Sequence, residues 1–248
     1  MRILVPIRRL DYRRRYLRRH PGAPRDLPVV YVLHIGKTGG TFLKTIIKDP
    51  TSFAAEPVLF VPFGHNIRHE HLPEGARFLF ATRDPVRRFT SGFYSRKRKG
   101  RPATFREWTK GEAAAFGRFD SANALAEALS APEAGTRAAA ADAMAAIKHV
   151  GQPHTHWFAD RARLARDIAA GRAMRIRQEH LNGDLGAILG RLDCALRPGL
   201  IDGLGTLHAN TYDAGAELSE TALANLRRHY ADDYAFLDWL DAQGLRGG

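Results

Sequence analysis

The sequence predicts an α/β protein, a three-layer α/β/α fold with a central, mainly parallel sheet. Two observations carry this. Val29-Val30-Tyr31-Val32-Leu33-His34-Ile35 and Arg77-Phe78-Leu79-Phe80-Ala81-Thr82 are short, almost continuously apolar runs, the pattern of strands buried on both faces. Each leads through a turn into a segment of helical spacing, and the alternation resumes around Ala173 to Arg177. With 248 residues, 44% apolar and 26% charged, the chain suits one sizeable domain.

Residues 1–27 read as a basic N-terminal arm. Arg8 to His20 holds seven arginines, and Pro21-Gly22-Ala23-Pro24 punctuates its end. The plain expectation is a solvated charge run. The sharper one is a surface helix touching anionic lipid or an acidic substrate, a peripheral membrane contact. Residues 28–241 form the expected single domain. After its first strand comes a glycine turn at Gly36 to Gly40. A helix over Phe42 to Lys48 then sets Phe42, Leu43, Ile46 and Ile47 on one face. Asp49 to Pro62, with Pro50, Pro57 and Pro62, reads as irregular. Beyond the second strand, Asp84 is placed as an N-cap and Pro85 as the first helical residue of a helix reaching Tyr94.

Arg96 to Arg101 is expected to be an exposed basic loop. The alanine-rich stretch 103–150 suggests short helices at Phe105 to Lys110, Ala122 to Leu129 and Arg137 to Ile147, broken by Gly151-Gln152-Pro153. A helix over Asp160 to Ala170, a strand at Ala173 to Arg177 and a helix over Leu181 to Leu192 follow. A loop at 197–216 and a last helical stretch from Ser219 to Asp241 complete the chain.

Lys plus Arg number 38 and Asp plus Glu 26, a net charge of +12. That surplus favours anionic partners without choosing among them. The single cysteine, Cys194, excludes an internal disulfide framework and suits a reducing, cytoplasmic setting. Ile3-Leu4-Val5-Pro6-Ile7 is too short for a signal-peptide core, and no run approaches 18 apolar residues, so no transmembrane helix is expected.

A strand ending in a glycine turn that opens a helix is an anion site in waiting. The glycines let the backbone approach closely and the helix's N–H groups point outward. Lys37 adds a positive charge; Thr38 and Thr41 add hydroxyls. An ordinary triphosphate loop needs a glycine five residues before its Gly-Lys pair, but that place holds Tyr31. The segment His34-Ile35-Gly36-Lys37-Thr38-Gly39-Gly40-Thr41 resembles instead the His-Ile-Pro-Lys-Thr-Gly-Gly-Thr loop of carbohydrate sulfotransferases that use 3′-phosphoadenosine 5′-phosphosulfate (PAPS). In that family the loop grips the donor's 5′-phosphosulfate. Gly36 replaces the family's proline, which makes the loop less rigid when empty. Arg83-Asp84-Pro85-Val86-Arg87-Arg88-Phe89-Thr90-Ser91 resembles the family's 3′-phosphate segment.

The resemblance spans roughly residues 28–240 and is sharp at 33–42 and 77–94. It implies a P-loop-like nucleotide-binding fold and a sulfotransferase that needs no metal, with a sugar hydroxyl as acceptor. The donor would be held by Gly36, Lys37, Thr38, Gly39, Gly40, Thr41, Phe42, Arg83 and Ser91. Lys37 would sit on the oxygen bridging sulfur and phosphorus. Sulfuryl transfer also needs a base. His65, in Gly64-His65-Asn66, matches a Gly-His base of the family; His69 and His71 compete with it. Arg88 is read as a brace for the turn through Asp84. Gln152, His154 and Trp157 lie where family members face the acceptor. Glu179 and His208-Ala209-Asn210 match family positions without an assigned role. Two rivals stand beside this expectation: an ATP-dependent, kinase-like phosphotransferase, which would need Mg²⁺, and a non-catalytic binder of polyanions. Nucleic acid is not an expected partner.

Overall fold

The computed structural model describes residues 4–19, 21–24, 26–49, 51–102, 104–200 and 217–245. It has the expected three-layer α/β/α fold around a four-stranded sheet. The strands are β1 (Val29–Val32), β3 (Leu59–Pro62), β4 (Arg77–Thr82) and β5 (Ala173–Arg177), in the order β3-β1-β4-β5. All three pairings are parallel, with Tyr31 opposite Val61 and Phe78, and Leu79 opposite Met174. A short antiparallel pair, β2 (Phe53–Ala55) with β6 (Ala195–Leu196), lies apart from it.

The chain divides into two compact units. The first comprises Met1–Thr82, Thr155–Ala209 and Trp239–Gly248 and holds the sheet; the second comprises Arg83–His154 and Asn210–Asp238. In the first unit, strand residues alternate between two buried faces. Val30, Val32, Phe60, Leu79, Ala81, Met174 and Ile176 pack with helices α2 (Gly40–Lys48) and α8 (Leu181–Arg191) through Leu43, Ile46, Leu185 and Ile188. On the other face, Tyr31 stacks on Phe63 and Phe80 meets Phe158, while α7 (Arg161–Ala169) covers β5. Arg175, buried in β5, is satisfied by Thr82 Oγ1 at 2.8 Å and Asp241 Oδ1 at 2.6 Å.

Residues Leu4–Arg19 form helix α1, which lies against β3. Val5, Tyr12 and Tyr16, spaced along one helical stripe, are its buried contacts. Arg8 lies 5.7 Å from the Tyr12 ring centroid and 5.8 Å from that of Phe63, so a cation-π contact helps seat the helix. Three residues at helical spacing thus dock the arm as a helix, while Arg9, Arg14, Arg15, Arg18 and Arg19 stay solvated.

The second unit is helical. Asp84 and Pro85 open α3 (Pro85–Lys97) as expected, Asp84 Oδ1 accepting from Arg87 N at 2.8 Å. α4 (Lys110–Arg118), α5 (Ala122–Ala128) and α6 (Ala134–Ala146) follow, and α9 (Glu220–His229) packs on α3 and α5. Phe105 to Lys110 is not the expected helix. Arg96 turns back to the carbonyls of Arg106 and Glu107 and Trp108 Nε1 donates to Arg96 O, which fixes a non-helical segment. Helix α10 (Ala231–Ala242) follows α9, so the last helical stretch is two helices rather than one.

Candidate functional site

Parallel strands deliver their following residues to one edge of a sheet. β1 ends at Val32 and β3, its neighbour, at Pro62, so His34 and His65 arrive side by side. Their ring centroids are 4.0 Å apart. His65 Nδ1 lies 3.0 Å from His34 O. A carbonyl only accepts, so Nδ1 carries the hydrogen, and the lone pair of the ring in its neutral form lies on Nε2.

The turn after β1 is unusual in its backbone. Lys37 has φ 68° and Gly39 φ 85°, both left-handed. For a lysine that conformation carries strain and occurs where surrounding structure imposes it. Gly39 caps α2, whose ladder opens with Leu43 N donating to Gly39 O at 3.2 Å. The N–H groups of Gly40 and Thr41 precede that ladder and point out of the helix's N-terminus. Gly40 has no room for a side chain: a Cβ there would lie 2.1 Å from His34 Cδ2. Gln178, just after β5, flanks the turn, its Cγ 3.6 Å from the point where a Gly39 Cβ would be.

His34 itself is gripped from α2. Lys44 Nζ lies 2.6 Å from His34 Nδ1. The ammonium only donates, so His34 Nδ1 accepts. Burial, then the electrostatic effect of the neighbouring His65, Lys44 and Lys37, pushes His34 down to about 3, and it stays neutral. Burial, with Lys48 and Arg8 adding repulsion, brings Lys44 down to about 8.

Several expected roles change. Thr38 is fully buried and its one hydroxyl hydrogen goes to Ile35 O at 3.0 Å, so it holds the turn rather than offering a donor. The Phe42 side chain belongs to the core, leaving only its backbone to the turn. Thr41 remains exposed. His69 is withdrawn as a base: it is buried, 2.8 Å from Asp167 Oδ2 and packed on Phe78. His71 uses Nδ1 to accept from Arg68 N at 3.0 Å, capping a 3-10 turn.

His154 and Trp157 are fully buried, so neither offers a surface to an acceptor; Gln152 is half-buried. Trp157 Nε1 instead donates to His65 O at 3.1 Å and braces the histidine's backbone. In the second unit, Asp233 accepts from His154 N at 2.7 Å and contacts His154 Nδ1 at 2.9 Å. Arg88 also faces Asp233, at 3.9 Å, and Asp84 takes a bond from Tyr234 Oη. Arg83, partly exposed, stands directly before the N-cap of α3, and Ser91 is buried in that helix's second turn. Glu179 is exposed in the 3-10 turn after β5, and His208-Ala209-Asn210 lies outside the described residues.

No family model, no curated protein and no solved structure matches the chain.

Lys44, which grips His34, is not among the residues the sequence singles out. The only early sign of the lysine was a charge on the second turn of a helix with an otherwise strong apolar face.

Proposed function

We propose that the protein transfers a sulfuryl group from PAPS to a hydroxyl, on a carbohydrate acceptor. The observation that supports this best is the shared edge of β1 and β3. A strained lysine turn with outward N–H groups adjoins a histidine whose Nδ1–H is fixed on a backbone carbonyl.

In the proposed step the acceptor oxygen attacks sulfur and its proton passes to His65 Nε2. A bond from sulfur to the acceptor oxygen forms as the bond from sulfur to the bridging oxygen breaks. The electron pair leaves on the 5′-phosphate, where Lys37 and the N–H groups of Gly39, Gly40 and Thr41 oppose the growing charge. Arg83 suits the donor's 3′-phosphate through bidentate bonding.

The test is turnover. Purified protein with PAPS and a panel of glycans, in EDTA, is expected to release adenosine 3′,5′-bisphosphate, and Lys37→Ala to abolish the release. Turnover of ATP that requires Mg²⁺, with none of PAPS, would favour the kinase-like reading. Salt-sensitive glycan binding without any turnover would favour the polyanion binder.

A further inference from the structure

The large apolar side chains left exposed among the described residues are Leu4, Ile7, Leu10 and Phe105, each at least half exposed. Three of the four stand on α1. The same helix carries Arg8, Arg9, Arg13, Arg14, Arg15, Arg18 and Arg19 against one acid, Asp11. Seven less one leaves +6, half of the chain's +12 within 16 residues.

The arrangement has a direction. At 100° per residue, Val5, Tyr12 and Tyr16 fall within about 40° of one another, and they are the docked side. Ile7, Leu10, Arg14 and Arg18 fall within about 80° of one another on the opposite side. The outward face is thus aliphatic over its first two turns and cationic over its last two. Arg14 and Arg18 are exposed there, while Arg15 is held by Asp11 at 2.8 Å and Arg13 faces Asp26 at 3.7 Å.

A solvated face does not need leucine and isoleucine at its crest. A polyanion in water would use the arginines and gain nothing from the aliphatic groups. Both sets are used together by a surface that is anionic at its headgroups and apolar just beneath them. Arginine stems extend along such a boundary with their heads in the headgroup layer. We infer that the outer face of α1 is a docking surface for anionic lipid bilayers, with Ile7 and Leu10 entering the acyl boundary and Arg14 and Arg18 engaging the headgroups. Among the described residues no helix is long and apolar enough to cross a membrane, so α1 would lie on the surface. The inference rests on α1 alone and stands whether or not PAPS is the donor.

The experiment is flotation of the full chain with vesicles of phosphatidylcholine alone or with 30% phosphatidylglycerol, at low and high salt. Wild type is expected to float with the anionic vesicles and not with the neutral ones. Ile7→Ser/Leu10→Ser and Arg14→Glu/Arg18→Glu are each expected to weaken partitioning at least tenfold. These positions are exposed, and circular dichroism with thermal melting confirms that each variant folds as wild type does. Absence of wild-type flotation would overturn the inference. So would equal binding by the aliphatic double variant, which would mark plain charge adsorption. A vesicle-free dimer that this variant turns into monomer would overturn it too, by assigning the face to a second copy of the chain.

Discussion

His34 ties the folding of the turn to pH, and the size of the effect follows from its surroundings. In the unfolded chain the imidazole titrates near 6.5; in the folded protein it is pushed down to about 3. The unfolded state therefore binds the proton first, and stability is fully present above pH 6.5. It falls as the pH drops toward 3 and levels off below that. Between pH 7 and pH 4 the difference spans about 2.5 pH units at 1.36 kcal/mol each, roughly 3 kcal/mol from this one ring. Other groups titrate in the same range, so the test compares wild type with His34→Phe, which keeps a ring of similar size. Urea unfolding at pH 7 and pH 4 is measured for both proteins. The loss of stability between the two pH values is expected to be about 3 kcal/mol larger in wild type, an extra midpoint shift of about 1 M or more. Comparing pH differences cancels whatever the substitution costs by itself. Equal pH dependence in the two proteins would refute the reasoning that His34 is buried neutral beneath the turn.

Gly40→Ala puts a methyl group 2.1 Å from a His34 ring already held by Lys44 and His65, and is expected to cost about 1–3 kcal/mol in thermal or urea unfolding. An unchanged midpoint would mean that the ring is free to move. Trp157→Phe removes the bond to His65 O and is expected to lower turnover more than affinity for adenosine 3′,5′-bisphosphate, read from kcat and calorimetry on the same samples. In the second unit, Arg96 grips Glu112 through two bonds of 2.6 and 2.8 Å inside the fold. Arg96→Met leaves that carboxylate, which still accepts from Thr109 N and Lys148 N, without its cation and is expected to cost about 3–5 kcal/mol in urea unfolding.

Much of the frame could be read from local pattern, because local physics decides it. The strands at Arg77–Thr82 and Ala173–Arg177 are continuous apolar runs, and Asp84-Pro85 is a helix start whatever surrounds it. β3 escaped notice because Pro57 and Pro62 bracket it. An edge strand tolerates a terminal proline, and β3 is at the edge. α1 stood only as the sharper of two readings of the basic arm, because its arginines draw attention away from the helical stripe of Val5, Tyr12 and Tyr16. At the candidate site, the left-handed turn around Lys37 was legible from its glycines, and the Gly-His pair pointed to His65. The His34–Lys44 contact joins a strand end to a helix face, and the bonds between His154 and Asp233 cross 79 residues. Such pairings are products of the tertiary fold, and no spacing in the chain announces them.

The proposed function stands or falls on PAPS binding at the turn that holds Lys37 and Gly39. Isothermal titration of the full chain with adenosine 3′,5′-bisphosphate, in EDTA, tests it most directly, with AMP as the comparison. Saturable binding of the bisphosphate is expected, at least tenfold tighter than AMP and lost in Lys37→Ala. No heat of binding from folded protein, or equal affinity for the two nucleotides, would contradict it.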